Sequence, residues 1–289
     1  MTRTHNCNGP FKNSGGHGED IEKGMTERKK FFSQALPVIF VVWLVIFLLS
    51  GFPKENPAEA ESRKIPIAIL IDDFGYSREA ARTLSSLSMP VTWAIIPYKS
   101  YSLWTADLAR EKGIPFLTHL PMQAEMDPQN GPYLVGLGMP REQIRQVVRN
   151  AIWSLPGTAG LNNHRGSKAT SDPVVMNAVV DEVEAEGLLL VDSRTSSKSV
   201  AYQVAKNRGI PAGRNRIFLD HQANAEYMWS RFYELRNMAR RHGGAIGICH
   251  ARPETIPFLF ALYESAPPDV QFVTVPEYLS RILHGNEEE

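Results

Sequence analysis

The chain has 289 residues, with 31 basic and 31 acidic side chains and a formal net charge near zero. That balance excludes a broad phosphate-neutralising surface of the kind that holds nucleic acid. Its two cysteines, Cys7 and Cys249, are too few for a disulfide framework, and Cys249, closing an apolar run, reads as a small buried hydrophobe.

Residues 1–34 are polar and weakly patterned and are expected to be a disordered tail. Arg28, Lys29 and Lys30 then precede segment 35–52, in which Leu36–Phe52 is nearly all apolar. About 17 residues at a rise of about 1.5 Å give roughly 25 Å, the short end of a membrane span. With basic residues before this run and only Lys54 just after it, the N-terminus is expected inside and the main domain outside. A signal peptide cleaved after Ala58-Glu59-Ala60 is the alternative. The long tail before the run, and the distance of that site beyond it, favour an uncleaved anchor. Residues 53–63 read as a solvated linker.

From residue 64 onward, strand-like and helix-like segments alternate. Ile65–Ile71 is a continuous apolar run, as in a strand buried on both faces. Ser77 caps a helix to about Leu87, Val91–Ile96 is a strand, and Ser100–Lys112 is a helix stopped by Gly113. Ile114–Thr118 is a strand, Gln123–Gly138 a long loop, and Pro140 opens a helix to about Ser154. Thr158–Leu161 is a short strand, and Ser171-Asp172-Pro173 starts a helix ended by Gly187. Strands Leu188–Val191, Ile217–Leu219, Ala245–Cys249 and Gln271–Val275 follow. They alternate with helices at 199–209, 224–242, 254–264 and 276–283. Roughly eight such strands predict a single α/β domain over 64–289, its largely parallel sheet either open or closed into a barrel. An open doubly wound sheet calls for a phosphate-binding Gly-rich first turn, and the acidic Asp72-Asp73-Phe74-Gly75 is the reverse.

The strand ends carry the chemistry. Asp72-Asp73, His119, Asn162-Asn163-His164, Asp192-Ser193-Arg194 and His250-Ala251-Arg252 each follow an apolar run. A parallel α/β fold opens all such ends onto one face. Two adjacent carboxylates after a buried strand repel each other and lose solvent, a cost that a metal ion at one of them offsets. One Asp with His119 and His164 makes three protein ligands and leaves a coordination position for water, as in catalytic zinc sites. The second Asp then serves as general base. Asn163 and Ser167, with Asn162 and Gly166, suit a tight polar loop beside these ligands. Asp192 and Arg194 read either as a surface ion pair or as a carboxylate that orients a histidine beside the site. His250 is placed to protonate a leaving group or to stabilise an oxyanion, and Arg252 to bind a substrate carboxylate or to pair with Asp192. Asp220, His221 and Arg214 read as rim residues. Tyr98, Trp104 and Tyr133 are candidates for stacking on sugar rings, whereas Trp93 reads as core. No Gly-x-Ser-x-Gly elbow, Walker A loop or Gly-x-Gly-x-x-Gly turn is present, so neither serine-hydrolase chemistry nor a nucleotide partner is expected.

With these motifs in this order, residues 64–285 resemble the divergent polysaccharide deacetylase family, a branch of the polysaccharide deacetylase superfamily. The resemblance implies a distorted (β/α) barrel, here preceded by one N-terminal transmembrane helix. It implies Asp72 as base, Asp73 as a metal ligand, His250 as the late-chain catalytic histidine and Asp192 as the carboxylate that tunes it. The superfamily's second motif usually holds two histidines four residues apart; here His119 is followed by Gln123, and His164 is expected to supply the missing ligand. Asn163, Ser167, Arg194 and Arg252 are expected around the substrate. The implied cofactor is a divalent metal, by ligand type Zn2+, and the implied partner an envelope polysaccharide or peptidoglycan. Two functions follow as expectations. One is a metal-dependent deacetylase of an envelope glycan, on the periplasmic side of a bacterial inner membrane. The other is a catalytically silent, metal-containing glycan-binding or scaffold protein of the envelope.

Overall fold

The computed structural model describes residues 64–129 and 131–285. The expected tail, membrane anchor and linker lie outside these residues. Among the described residues no helix is long and apolar enough to cross a membrane.

The expected alternation is present throughout. In chain order the elements are β1 (Ile65–Phe74), α1 (Arg78–Leu84), β2 (Thr92–Ile95), α2 (Ser102–Glu111), β3 (Phe116–Met122) and α3 (Arg141–Trp153). There follow β4 (Gly160–Arg165), a 3-10 turn (Ala169–Ser171), α4 (Pro173–Ala185), β5 (Leu189–Asp192), α5 (Ala201–Asn207) and β6 (Ala212–Phe218). Last come α6 (Ala225–His242), β7 (Ala245–His250), α7 (Thr255–Glu264), β8 (Val270–Val273) and α8 (Val275–Gly285). Local chemistry sets the ends. Ser77 Oγ accepts from the Ala80 amide at the start of α1. Asp172 Oδ1 accepts from the Val174 and Val175 amides, with Pro173 in the first turn of α4. Gly243, at φ 70°, ends α6 in the left-handed conformation that glycine adopts without a Cβ penalty.

The sheet is parallel and closes on itself. β1 to β7 pair in sequence order, and β1 returns to β7, giving a seven-stranded barrel. β1 is longer than its neighbours and is shared. Its residues 70–74 pair with β2, while residues 65–68 pair with β8 on the same edge. Below β2, the Val275 amide donates to Thr92 Oγ1 and ties the chain after β8 to the barrel.

Period-two alternation along β1 serves two cores. Ala68 and Leu70 point into the barrel with Ala94, Leu117, Val191, Ile246 and Ile248, and Val275, Tyr278 and Leu279 close its lower end. Ile67, Ile69 and Ile71 point outward against Phe232 and Leu235 of α6. Both faces are covered, which is why β1 reads as an unbroken apolar run. On the outside of the opposite wall, Leu120, Leu161 and Leu190 pack under α3 and α4.

Five strands, β1, β3, β4, β5 and β7, extend beyond their predicted ends for one reason. The polar residues after the apolar runs continue the ladder: His119 pairs with Asn162, Pro121 with His164, and Asp192 with Arg214. β6 carries Arg214, Asn215 and Arg216 at its centre, and a register shift between Asn215 and Ile217 interrupts it.

At Gly160 the backbones of β4 and β5 approach closely. A Cβ there would lie 2.4 Å from the Leu189 carbonyl oxygen and 2.6 Å from Leu189 Cγ. Gly160→Ala is expected to lower stability by about 1–3 kcal/mol, as overpacking does. Urea unfolding of the variant beside wild type measures this, and an unchanged midpoint would contradict so close an approach.

Candidate active site

Asp72 and Asp73 both reach one cleft because the backbone changes conformation between them. Asp72 continues the barrel-facing series of Ala68 and Leu70 and pairs in register with His250 of β7. Asp73 takes φ 67°, and the register with β2 breaks between Ile71 and Phe74. This turn swings the Asp73 carboxylate over toward β3 and β4. Gly75 follows at φ 116°, where a Cβ would meet Ser102 Oγ at 3.0 Å. On β4, Asn162 and His164 are two residues apart and so share a face with His119, their neighbour across the ladder.

The result is a triangle of ligand atoms. His164 Nδ1 lies 3.0 Å from Asp73 Oδ1, His119 Nε2 lies 3.4 Å from it, and the two ring nitrogens are 3.1 Å apart. Ligands about 2.0–2.1 Å from one tetrahedral ion stand about 3.3–3.4 Å from each other, so this spacing suits a single zinc-like ion. Asp73 Oδ1 is buried and has no hydrogen-bond donor of its own. Asn162 explains the arrangement further. Its Nδ2 donates to Asp72 Oδ1 at 2.9 Å, which leaves its Oδ1 to accept from His119 Nδ1 at 3.0 Å. In neutral His119 the proton is then on Nδ1, and Nε2 aims a lone pair at Asp73 Oδ1 and His164 Nδ1. A lone pair facing a carboxylate calls for a cation between them. An Asp-His-His set therefore fits a divalent metal by spacing, by tautomer and by the orphaned oxygen.

The two carboxylates differ in how readily they take up a proton. Burial pushes Asp72 up to about 6, against the pull of His119 and His250. Burial also raises Asp73, but the two imidazoles facing it more than reverse this and hold its carboxyl well below the usual range. Paired groups driven apart in this way are typical of sites where one carboxylate stays ionised and the other exchanges protons.

Beside Asp72, on the neighbouring strand β7, His250 is held by Asp220. The His250 backbone amide donates to Asp220 Oδ2 at 2.8 Å, and Nδ1 lies 2.9 Å from Asp220 Oδ1. Thr255 Oγ1 donates to Asp220 Oδ2 at 2.8 Å. Burial lowers the His250 pKa, but the hydrogen bond to Asp220 and the charges of Asp220, Asp72 and Asp73 raise it overall. Phe218 lies parallel to the ring, with centroids 6.0 Å apart. The carboxylate on His250 is thus Asp220 and not Asp192, a correction to the sequence reading. Asp192 instead accepts from the Arg194 amide and Ser199 Oγ, both at 2.8 Å, and closes the turn after β5. That short-range turn uses the Asp192 carboxylate locally, whereas Asp220 follows β6, the strand beside β7.

The cleft has a volume of about 280 Å³ and is lined by Asp72, Asp73, His119, His164, His250 and Arg252, among others. Arg252 stands at the rim, with Nη2 3.9 Å from Asp73 Oδ2, and does not pair with Asp192. Asn163 lines the cleft and ties two strand ends together: its Oδ1 accepts from the Ser193 amide, and its Nδ2 donates to the Arg165 carbonyl. Ser167 Oγ accepts from the Glu125 amide and braces the long loop. Arg194 lines the adjoining cavity, away from the ligand triangle. Gln123, at the position of the absent histidine, is buried and anchors the same loop, its Oε1 accepting from the Leu137 amide. None of the proposed stacking aromatics lines the cleft; Trp93 is core, stacked on Phe74 with centroids 4.3 Å apart. Asp220 was legible only as one more carboxylate after an apolar strand, and Asn162 as part of a polar loop.

The model of the family described as divergent polysaccharide deacetylase matches residues 69–279. An uncharacterized protein of Haemophilus influenzae is 34% identical over 207 residues, which is 72% of this chain and 74% of that protein. The uncharacterized protein YibQ of Escherichia coli K12 is 29% identical over 214 residues, 74% of this chain and 67% of its own length. The crystal structure of an uncharacterized protein from Agrobacterium tumefaciens C58 superposes with a TM-score of 0.66 at 22% identity, covering 71% of this chain and 84% of that one. At that identity the likeness shows the fold alone.

The ligand triangle makes a direct prediction. Purified full-length protein, loaded with zinc and desalted, should retain about one divalent ion per chain. Asp73→Asn, His119→Ala and His164→Ala should each lose it, while Asp192→Asn should keep it. Metal content by mass spectrometry is the measurement. Retention in all three ligand variants would place the ion elsewhere.

Proposed function

The chain belongs to the divergent polysaccharide deacetylase family, and we propose that it is a metal-dependent hydrolase that removes acetyl groups from an envelope glycan. The observation that carries this is that two proton-transfer groups share one cleft with the ligand triangle. Asp72 Oδ2 lies 3.6 Å from His119 Nε2, and the His250–Asp220 pair stands beside Asp72, its register neighbour on β7. A pure binding site has no use for a carboxylate base and a carboxylate-held histidine next to its ligands.

A divalent ion on Asp73, His119 and His164 would supply Lewis-acid polarisation of the acetyl carbonyl and activation of water. The protein's own groups do the rest. Asp72 takes a proton from the water whose oxygen attacks the carbonyl carbon. Asn162 holds the other oxygen of Asp72 and orients the acceptor toward the cleft. Because Nδ1 of His250 faces Asp220, its Nε2 is the ring atom left for the substrate. It gives a proton to the departing nitrogen as the C–N bond breaks, and acetate and a free amine result. An O-acetyl ester would follow the same course, with an alcohol leaving. The apolar segment 35–52 and the basic residues before it support anchoring in the inner membrane, with this domain on the periplasmic side.

Asp72→Asn is expected to lower deacetylation of acetylated glycan oligomers by about 10²- to 10⁴-fold, with the metal retained. Asp220→Asn should cost about tenfold or more, by freeing the His250 ring. Acetate release measures both. Equal rates in wild type and Asp72→Asn would favour the silent glycan-binding reading instead. For location, protease added to intact spheroplasts should digest the main domain, and full protection would contradict the periplasmic assignment.

A further inference from the structure

Beside the catalytic cleft lies a second cavity of about 590 Å³, and Phe218 and His221 line both. Its charged lining is basic: Arg194, Arg216 and Arg231 contribute, and no carboxylate does. Tyr227 adds an aromatic wall. Among the described residues, neither Arg194 nor Arg216 has a carboxylate within salt-bridge distance. Arg216 is half-buried at the register shift of β6, where burial and the neighbouring Arg214 push its guanidinium below the usual arginine range. Arg231 pairs with Glu234 of its own helix, yet its Nε is buried without a partner. Three arginines therefore line one space, and the charges of Arg194 and Arg214 both bear on Arg216. Like charges held together and partly desolvated are costly unless something anionic joins them. The planar guanidinium fork suits carboxylate or phosphate oxygens, and the volume is in the range of small-molecule sites.

We propose that this cavity is a substrate subsite for a sugar bearing an oxyanion, so that the glycan processed in the cleft is an acidic one. The inference rests on the cleft being a glycan-hydrolysing site, and it adds the chemical class of the substrate. Phe218 and His221, common to both spaces, place the acidic sugar beside the unit that carries the acetyl group.

The test is calorimetric titration of the full-length, metal-loaded chain with glucose, glucuronate and glucose 6-phosphate. Wild type is compared with Arg216→Gln, Arg194→Gln and Asp72→Asn. At least one acidic sugar should bind roughly tenfold or more tightly than glucose, in line with charge-assisted hydrogen bonds. Preference for glucuronate identifies a carboxylate as the group received, and preference for glucose 6-phosphate a phosphate. The preference should shrink in both arginine variants and persist in Asp72→Asn, so binding at the subsite is read independently of hydrolysis. Arg194 is exposed, and its variant carries the test should Arg216→Gln not fold. Equal affinity for all three sugars, or a preference that survives in the arginine variants, would overturn the proposal.

Discussion

Where the apolar lining of a closed parallel barrel stops, its buried polar groups have only one another for partners. Here that constraint falls on Asn162. Its amide is fully buried and joins Asp72 on β1 to His119 on β3 from its own place on β4. A donor toward the carboxylate and an acceptor toward the imidazole fix the His119 tautomer, and the tautomer fixes what the outer nitrogen can do. Without such a bridge, a buried carboxylate and imidazole would each face the desolvation cost of an unmade hydrogen bond. With it, the lone pair of His119 meets Asp73 and His164 at a spacing suited to one ion.

The backbone contributes as much as the side chains. Asp73, Arg165 and Arg194 hold positive φ at the ends of β1, β4 and β5. Each such residue costs of order 1–3 kcal/mol and persists only where the surrounding structure over-determines it. At Asp73 the gain is directional, since an extended backbone would send two successive carboxylates to opposite faces of the sheet. At Arg165 and Arg194 the turns bring the chain back so that the Arg165 carbonyl receives Asn163 and Thr195, and the Arg194 amide reaches Asp192. These short-range closures hold the strand-end side chains of neighbouring strands at fixed separations.

The fold was legible because it depends on period and punctuation. β1 showed both of its buried faces as an unbroken apolar run, and Ser77, Asp172 and Gly243 marked helix ends through local hydrogen bonding and φ. Strand ends were less legible, because His119, Asn162 and His164 continue a ladder that a hydropathy reading stops short of. The ligand triangle was within reach, since histidines after buried strands are rare enough to be paired with Asp73. The partner of His250 was not. Asp192 and Asp220 each follow a short apolar run, Leu188–Val191 and Ile217–Leu219, and the choice between them depends on strand order: β6 neighbours β7, and β5 does not. That fact belongs to topology, to which sequence spacing is blind.

Gln123 stands where the resemblance to the superfamily calls for a second histidine. The position is buried at the end of β3, and its side chain now accepts from the Leu137 amide while its carbonyl receives the Lys168 and Ala169 amides. Gln123 anchors the loop that follows. On β4, one strand over, His164 stands opposite Pro121 and reaches Asp73 Oδ1 at 3.0 Å. Because neighbouring parallel strands carry side chains at the same height, a ligand can move between them without moving the site. The same rule governs the opposite wall, where Asp220 follows β6, the strand next to that of His250. Height above the barrel, more than position in a motif, decides which side chains can act together.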